Sequence, residues 1–166
     1  MDLSSQVIKF WSILLIINMV WFVGCQVGVH KDLTSGLTYN YHGLGVDEVF
    51  LTINGEAIRG NQFTAGSTVV MNFKGVSGFT NQKDKVYPGL SVKVTDPEGT
   101  VLLAAEDLFS QYDETGLDID QAGELSSNLT IGDPMQVGKS YLWHISIWDK
   151  QHDGLIEANL NFNVQP

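Results

Sequence analysis

The sequence predicts an all-β antiparallel sandwich of seven to eight strands following an N-terminal apolar segment. Three observations carry this prediction. Short stretches alternate apolar and polar residues with a period of two, as half-buried strands do. Turn-forming residues separate these stretches, and no segment sustains a long helical period. Seventeen glycines against four prolines fit many tight turns between short strands.

Taken in order, Gln26–Gly45 is polar and glycine-rich and reads as a tether, with a first strand near Leu37–Tyr41. In Val46–Ile53, Val49, Leu51 and Ile53 alternate with Phe50 and Thr52, and Asn54-Gly55 signals a hairpin. Ile58 and Phe63 suggest a short returning strand. Val69, Met71 and Phe73 share one face of the next, and Gly75–Lys85 is a polar loop around Phe79. Leu90, Val92 and Val94 alternate with Ser91, Lys93 and Thr95. Asp96-Pro97-Glu98-Gly99 then turns the chain, with Pro97 presetting φ and Gly99 free to take positive φ. Val101–Ala105 returns.

Glu106–Gly123 is irregular and acidic, with Leu108, Phe109, Tyr112 and Leu117 as apolar anchors. Leu125–Ile131 is a further strand. Tyr141–Trp148 is the strongest: Tyr141, Trp143, Ile145 and Ile147 face one way, and Leu142, His144, Ser146 and Trp148 the other. Large apolar groups on both faces predict a central strand. Glu157–Val164 closes the domain, its asparagines Asn159, Asn161 and Asn163 on a wet face. The arrangement is similar to an immunoglobulin-like or C2-like sandwich. That similarity rests on strand pattern alone, and the disulfide of immunoglobulin domains is absent.

Within Phe10–Cys25, FWSILLIINMVWFVGC, the apolar core Phe10–Val23 has the length of a signal-peptide apolar region and is shorter than the ~20 residues that span a bilayer. The stretch ends in a small residue followed by the chain's one cysteine. Phe22-Val23-Gly24-Cys25 resembles the lipobox of bacterial lipoproteins, with Phe22 standing where that pattern usually has Leu. The resemblance implies cleavage before Cys25 and lipid on Cys25. It also implies a membrane partner through that lipid and a place in the cell envelope, with more than one acyl chain giving stable anchoring. No Asp follows the Cys, which points to the outer membrane of a Gram-negative bacterium. The expected organisation is a signal peptide over 1–24, a lipidated Cys25 and flexible tether over 25–45, and the sandwich over 46–166.

The chain has nine Lys and Arg against nineteen Asp and Glu, a formal net charge of −10. Such a surface repels phosphate backbones and argues against nucleic acid as a partner. With Cys25 lipidated, no thiol remains for a disulfide or a thiolate metal site.

Between Val94 and Gly138 stand ten acidic residues and no Lys, Arg or His. The densest part is Asp113-Glu114-Thr115-Gly116-Leu117-Asp118-Ile119-Asp120, and a second acidic turn runs from Asp149 to Asp153. Calcium takes about six to eight oxygen ligands, so Asp113, Glu114, Asp118, Asp120, Asp149 and Asp153 form a candidate calcium set, calcium being the only cofactor considered. The spacing does not match an EF-hand, and Lys150 lies inside the second cluster. The plainer reading is a solvated acidic loop that keeps a sheet edge soluble. His30, His42, His144 and His152 show no zinc spacing, and there is no G-x-S-x-G elbow. Trp148 and Tyr112 are the candidate ligand-binding aromatics, Trp148 placed to stack a sugar ring. These features suggest a non-enzymatic binding or assembly module, its ligand an envelope protein, a glycan or a divalent cation. The alternative is an envelope carbohydrate-processing enzyme or other hydrolase using the acidic loop.

Overall fold

The computed structural model describes residues 27–31 and 35–166. The apolar run and Cys25 lie outside these residues. Among the described residues thirteen strands follow in order: β1 Val27–Lys31, β2 Leu37–His42, β3 Glu48–Ile53, β4 Glu56–Ile58, β5 Gln62–Thr64, β6 Thr68–Lys74, β7 Lys85–Val86, β8 Pro88–Thr95, β9 Val101–Ala105, β10 Leu117–Asp118, β11 Glu124–Thr130, β12 Ser140–Asp149 and β13 Leu155–Gln165. Two sheets make the sandwich. The larger runs β1-β2-β13-β12-β8-β9, with β5 added beside the end of β13, and the smaller runs β11-β6-β3-β4. Only β5 and β13 pair in parallel; every other pairing is antiparallel. The count exceeds seven or eight because β4, β5, β7 and β10 are two or three residues long, too short to show a period, and because β1 falls in the stretch read as a tether.

The predicted hairpins form. Asn54 (φ 53°) and Gly55 (φ 81°) make the β3–β4 turn, where two positive φ values match the twist of the flanking strands. Gly99 takes φ 87° between β8 and β9. Ile58 and Phe63 fall on separate strands: β4 belongs to the smaller sheet, and β5 crosses to the larger one.

One expectation is corrected. Within the stretch read as a tether, Val27–Lys31 and Leu37–His42 are strands of the larger sheet. β1 pairs with β2 over five residues, and β2 pairs with β13 from Leu37↔Leu160 to His42↔Leu155. Leu37 and Tyr39 are buried on the inner face. The folded unit therefore begins well before residue 46. The polar partners Thr38, Asn40 and His42 masked the alternation because they lie on the outer face of the same strand.

β12 is the central strand predicted, held between β8 and β13. Its inner face buries Tyr141, Trp143, Ile145 and Ile147, and β13 buries Ile156, Ala158, Leu160, Phe162 and Val164. Across the sandwich lie Val49, Leu51, Val69, Met71, Phe73, Leu125 and Leu129. The Phe162 ring packs at a tilt against Phe63 of the crossing strand, centroids 5.5 Å apart, and against Tyr141 at 5.8 Å. Each such large side chain contributes about 1.5–3 kcal/mol through burial, so a chain without a disulfide in this domain has a sufficient core. Among the described residues no helix is long and apolar enough to cross a membrane.

Two inward polar atoms, Ser127 Oγ and Trp143 Nε1, are buried with no hydrogen-bond partner among the described residues. A buried unpaired hydroxyl costs free energy that its removal recovers. Ser127→Ala is expected to leave chemical-denaturation stability unchanged or raise it by up to about 1 kcal/mol. A loss above about 1 kcal/mol would show that the hydroxyl is satisfied.

Candidate functional site

The outer face of the larger sheet is built by the polar half of each alternation. Register aligns three rows across four strands: His42–Leu155–Trp148–Gly89, Asn40–Glu157–Ser146–Ser91, and Thr38–Asn159–His144–Lys93. Their formal charges are one Glu and one Lys, in a chain of net −10. The acidic excess lies elsewhere, mostly on the loops.

This face is pre-ordered by its own hydrogen bonds. His144 Nδ1 lies 2.8 Å from Asn159 Oδ1, an acceptor, so Nδ1 carries a proton. His144 Nε2 lies 3.0 Å from Ser146 Oγ. Asn40 Nδ2 donates to Glu157 Oε2 at 3.3 Å. Beside these rows the Trp148 indole lies across Gly89, where a Cβ would overlap the ring. Gly89 is thus the seat of the tryptophan. Trp143 and Trp148 do face opposite ways: Trp143 is in the core, and Trp148 is half-buried on the outer face.

Tyr112 lies in the acidic loop between β9 and β10. It closes a 3-10 turn, Ser110–Tyr112, and its half-buried ring meets Phe109 edge-on at 5.9 Å. Its role there is to prop the acidic loop. Leu108, read as an anchor, is exposed.

The two acidic segments do meet at one end of the sandwich, but a lysine ammonium stands between them. Lys150 Nζ pairs with Asp107 Oδ2 at 2.6 Å and with Asp113 Oδ1. Asp107 Oδ1 accepts from the amides of Phe109 (2.8 Å) and Leu90 (3.2 Å). Burial opposes ionisation of Asp107, yet the Lys150 hydrogen bond and these amides together hold its carboxyl below the usual range. Burial likewise pulls Lys150 down, and its bonds to Asp107 and Asp113 outweigh that and raise it.

The other candidate ligands are dispersed. Asp149 is buried and accepts from Thr80 N at 2.7 Å and Gln151 N at 3.0 Å, tying the 75–85 loop to the β12–β13 turn. Asp118 pairs with Lys85 at 2.7 Å, and Asp153 with His152. Glu114 and Asp120 are exposed. Among the described residues no three His, Cys, Asp or Glu side chains are grouped to hold a metal. Calcium and chelator are therefore expected to give the same thermal midpoint; a rise with calcium would reveal a site this geometry lacks.

No family model matches the chain, and no curated protein matches it by sequence. Solved structures do. The C-terminal domain of Wzt overlaps with a TM-score of 0.50 at 10% identity, covering 87% of this chain and 80% of that one. That overlap supports the sandwich fold and, at this identity, the fold alone. A chitin binding domain from Burkholderia pseudomallei overlaps at TM-score 0.40, with 11% identity and 87% and 82% coverage. Superoxide reductase (neelaredoxin) from Ignicoccus hospitalis overlaps at 0.38, with 11% identity and 70% and 80% coverage. These two weaker overlaps carry no argument.

The sequence showed the Lys150 intrusion but not its partner Asp107, because that pairing depends on how the loops fold back. The His144 cluster was likewise hidden until β12 and β13 were in register. Lys150→Met is expected to lower stability by about 1–3 kcal/mol by leaving Asp107 without its cation. The wild-type advantage should be level between about pH 5 and pH 10. It should shrink as pH falls through the depressed Asp107 value, and as it rises through the elevated Lys150 value. Denaturation of both chains across pH measures this, and a pH-independent difference would contradict it.

Proposed function

We propose that this chain is a non-enzymatic binding module of the bacterial cell envelope, held to the membrane by lipid on Cys25, and that its ligand is a neutral glycan. One observation carries the ligand class. The widest sheet of a strongly acidic chain presents two rows of almost uncharged hydrogen-bonding side chains beside a third that carries the half-buried Trp148.

Sugars combine hydroxyls, which donate and accept, with an apolar ring face. Asparagine amides, hydroxyls and an imidazole match the first need, and an indole matches the second. The internal hydrogen bonds of the face reduce the rotamer entropy lost on binding. A broad sheet face rather than a closed pocket suits a polymer lying across strands. A neutral glycan also avoids the repulsion that the net charge imposes on an anionic one. The anchor reading rests on the apolar run ending at Gly24-Cys25 and its likeness to a lipobox.

Trp148→Ala is expected to weaken binding to a neutral polysaccharide about tenfold or more, as loss of a tryptophan anchor does. Gly89→Val, which dislodges the ring, should do the same while Lys150→Met leaves binding unchanged. Retention of full affinity in both face variants would sink the glycan reading. Separately, Cys25→Ala should abolish lipid labelling and move the chain to the soluble fraction. A variant that stays membrane-bound would mean that the apolar run itself is the anchor.

A further inference from the structure

A second feature lies between β3–β4 and the β1–β2 edge, apart from the outer face of the larger sheet. β3 pairs with β6 from Glu48 to Ile53, but with β4 only over Leu51–Ile53. Beyond Ile58 the chain leaves the smaller sheet and crosses to β5. Among the described residues, Glu48, Val49 and Phe50 therefore have no strand on that side. A cavity of about 510 Å³ opens there, between β3–β4 and the β1–β2 edge of the larger sheet. Leu37, Tyr39, Val49 and Leu51, all core residues, line it.

Its rim is charged in a defined order. Arg59, the one arginine of the chain, lies at the end where β4 departs. Among the described residues it has no ion-pair partner. Glu48 lies at the other end of the unpaired stretch, close enough to act on the Tyr39 hydroxyl. That hydroxyl is held above its usual range by burial first, and then by Tyr41 and Glu48.

We infer that this gap accepts an extended peptide of a partner protein, which adds to β3 as an antiparallel strand in the line of β4. Both existing neighbours of β3 run antiparallel to it. An added strand satisfies the edge of Glu48–Phe50 through its backbone, and alternate side chains set specificity. The residue opposite Val49 points inward, because directly opposed residues share a face, and the cavity has room for Leu there. The preceding residue lies by Arg59 and is acidic. The following one lies opposite Glu48 and is basic. The motif is acidic–apolar–basic, read from N to C terminus.

The test uses the full chain and the probe acetyl-Thr-Glu-Leu-Lys-Thr-amide, with binding followed by NMR titration. Saturable binding is expected. Exchanging Glu and Lys in the peptide should weaken it about tenfold, and so should Arg59→Glu in the protein. Methylating the peptide amides one at a time should weaken binding only at alternate positions, since one edge of a strand presents alternate amides to its neighbour. No binding of the first peptide, equal binding of the charge-exchanged one, or equal effects at every amide overturns the proposal. Self-association of the chain that the peptide cannot displace makes a second copy the occupant, and overturns it as well.

Discussion

The pairing of β12 with β13, nine residue pairs long, is the constraint on which the structure rests. Every second position on both strands is buried, so a slip of one residue would turn the whole core outward. Trp143, Ile145, Ile147, Leu160 and Phe162 thus fix the register. The same register places His144 against Asn159 and Trp148 over Gly89. Core and candidate binding face are two sides of one alternation. The face rests directly on the core beneath it.

The loop end shows how the chain manages its acidity. Asp107 and Asp113 converge on Lys150 of the β12–β13 turn. Asp149, buried and capped by backbone amides, joins a third loop to this cluster. Asp107, Asp113 and Asp149 thus fasten loops to one another. The acidic excess is held at the loop end and rims, which leaves the sheet face nearly neutral.

The sandwich class, the central strand and both short hairpins were legible because their signals are local: period-two alternation, Asn54-Gly55, and Pro97 with Gly99. β2 was only half legible, since its outward Thr38, Asn40 and His42 resemble a polar linker until β13 lies beside them. β1 had no such signal, being an edge strand whose pairing is its main support. Strands of two or three residues carry no period at all. At the site, Trp148 was visible as an aromatic on the outer face. The His144–Asn159–Ser146 group was not, because residues 15 positions apart become neighbours only through register. Asp113 and Lys150, 37 positions apart, meet for the same reason of tertiary closure.

The central claim is that the β8–β12–β13 face, rather than the acidic loop end, meets the ligand. Amide chemical shifts recorded during titration with a neutral polysaccharide test it most directly. Shifts concentrated on Gly89–Lys93, His144–Trp148 and Leu155–Asn159, and on the Trp148 indole, are what this account predicts. Shifts confined to 106–120 and 150–154, with the sheet face silent, would contradict it.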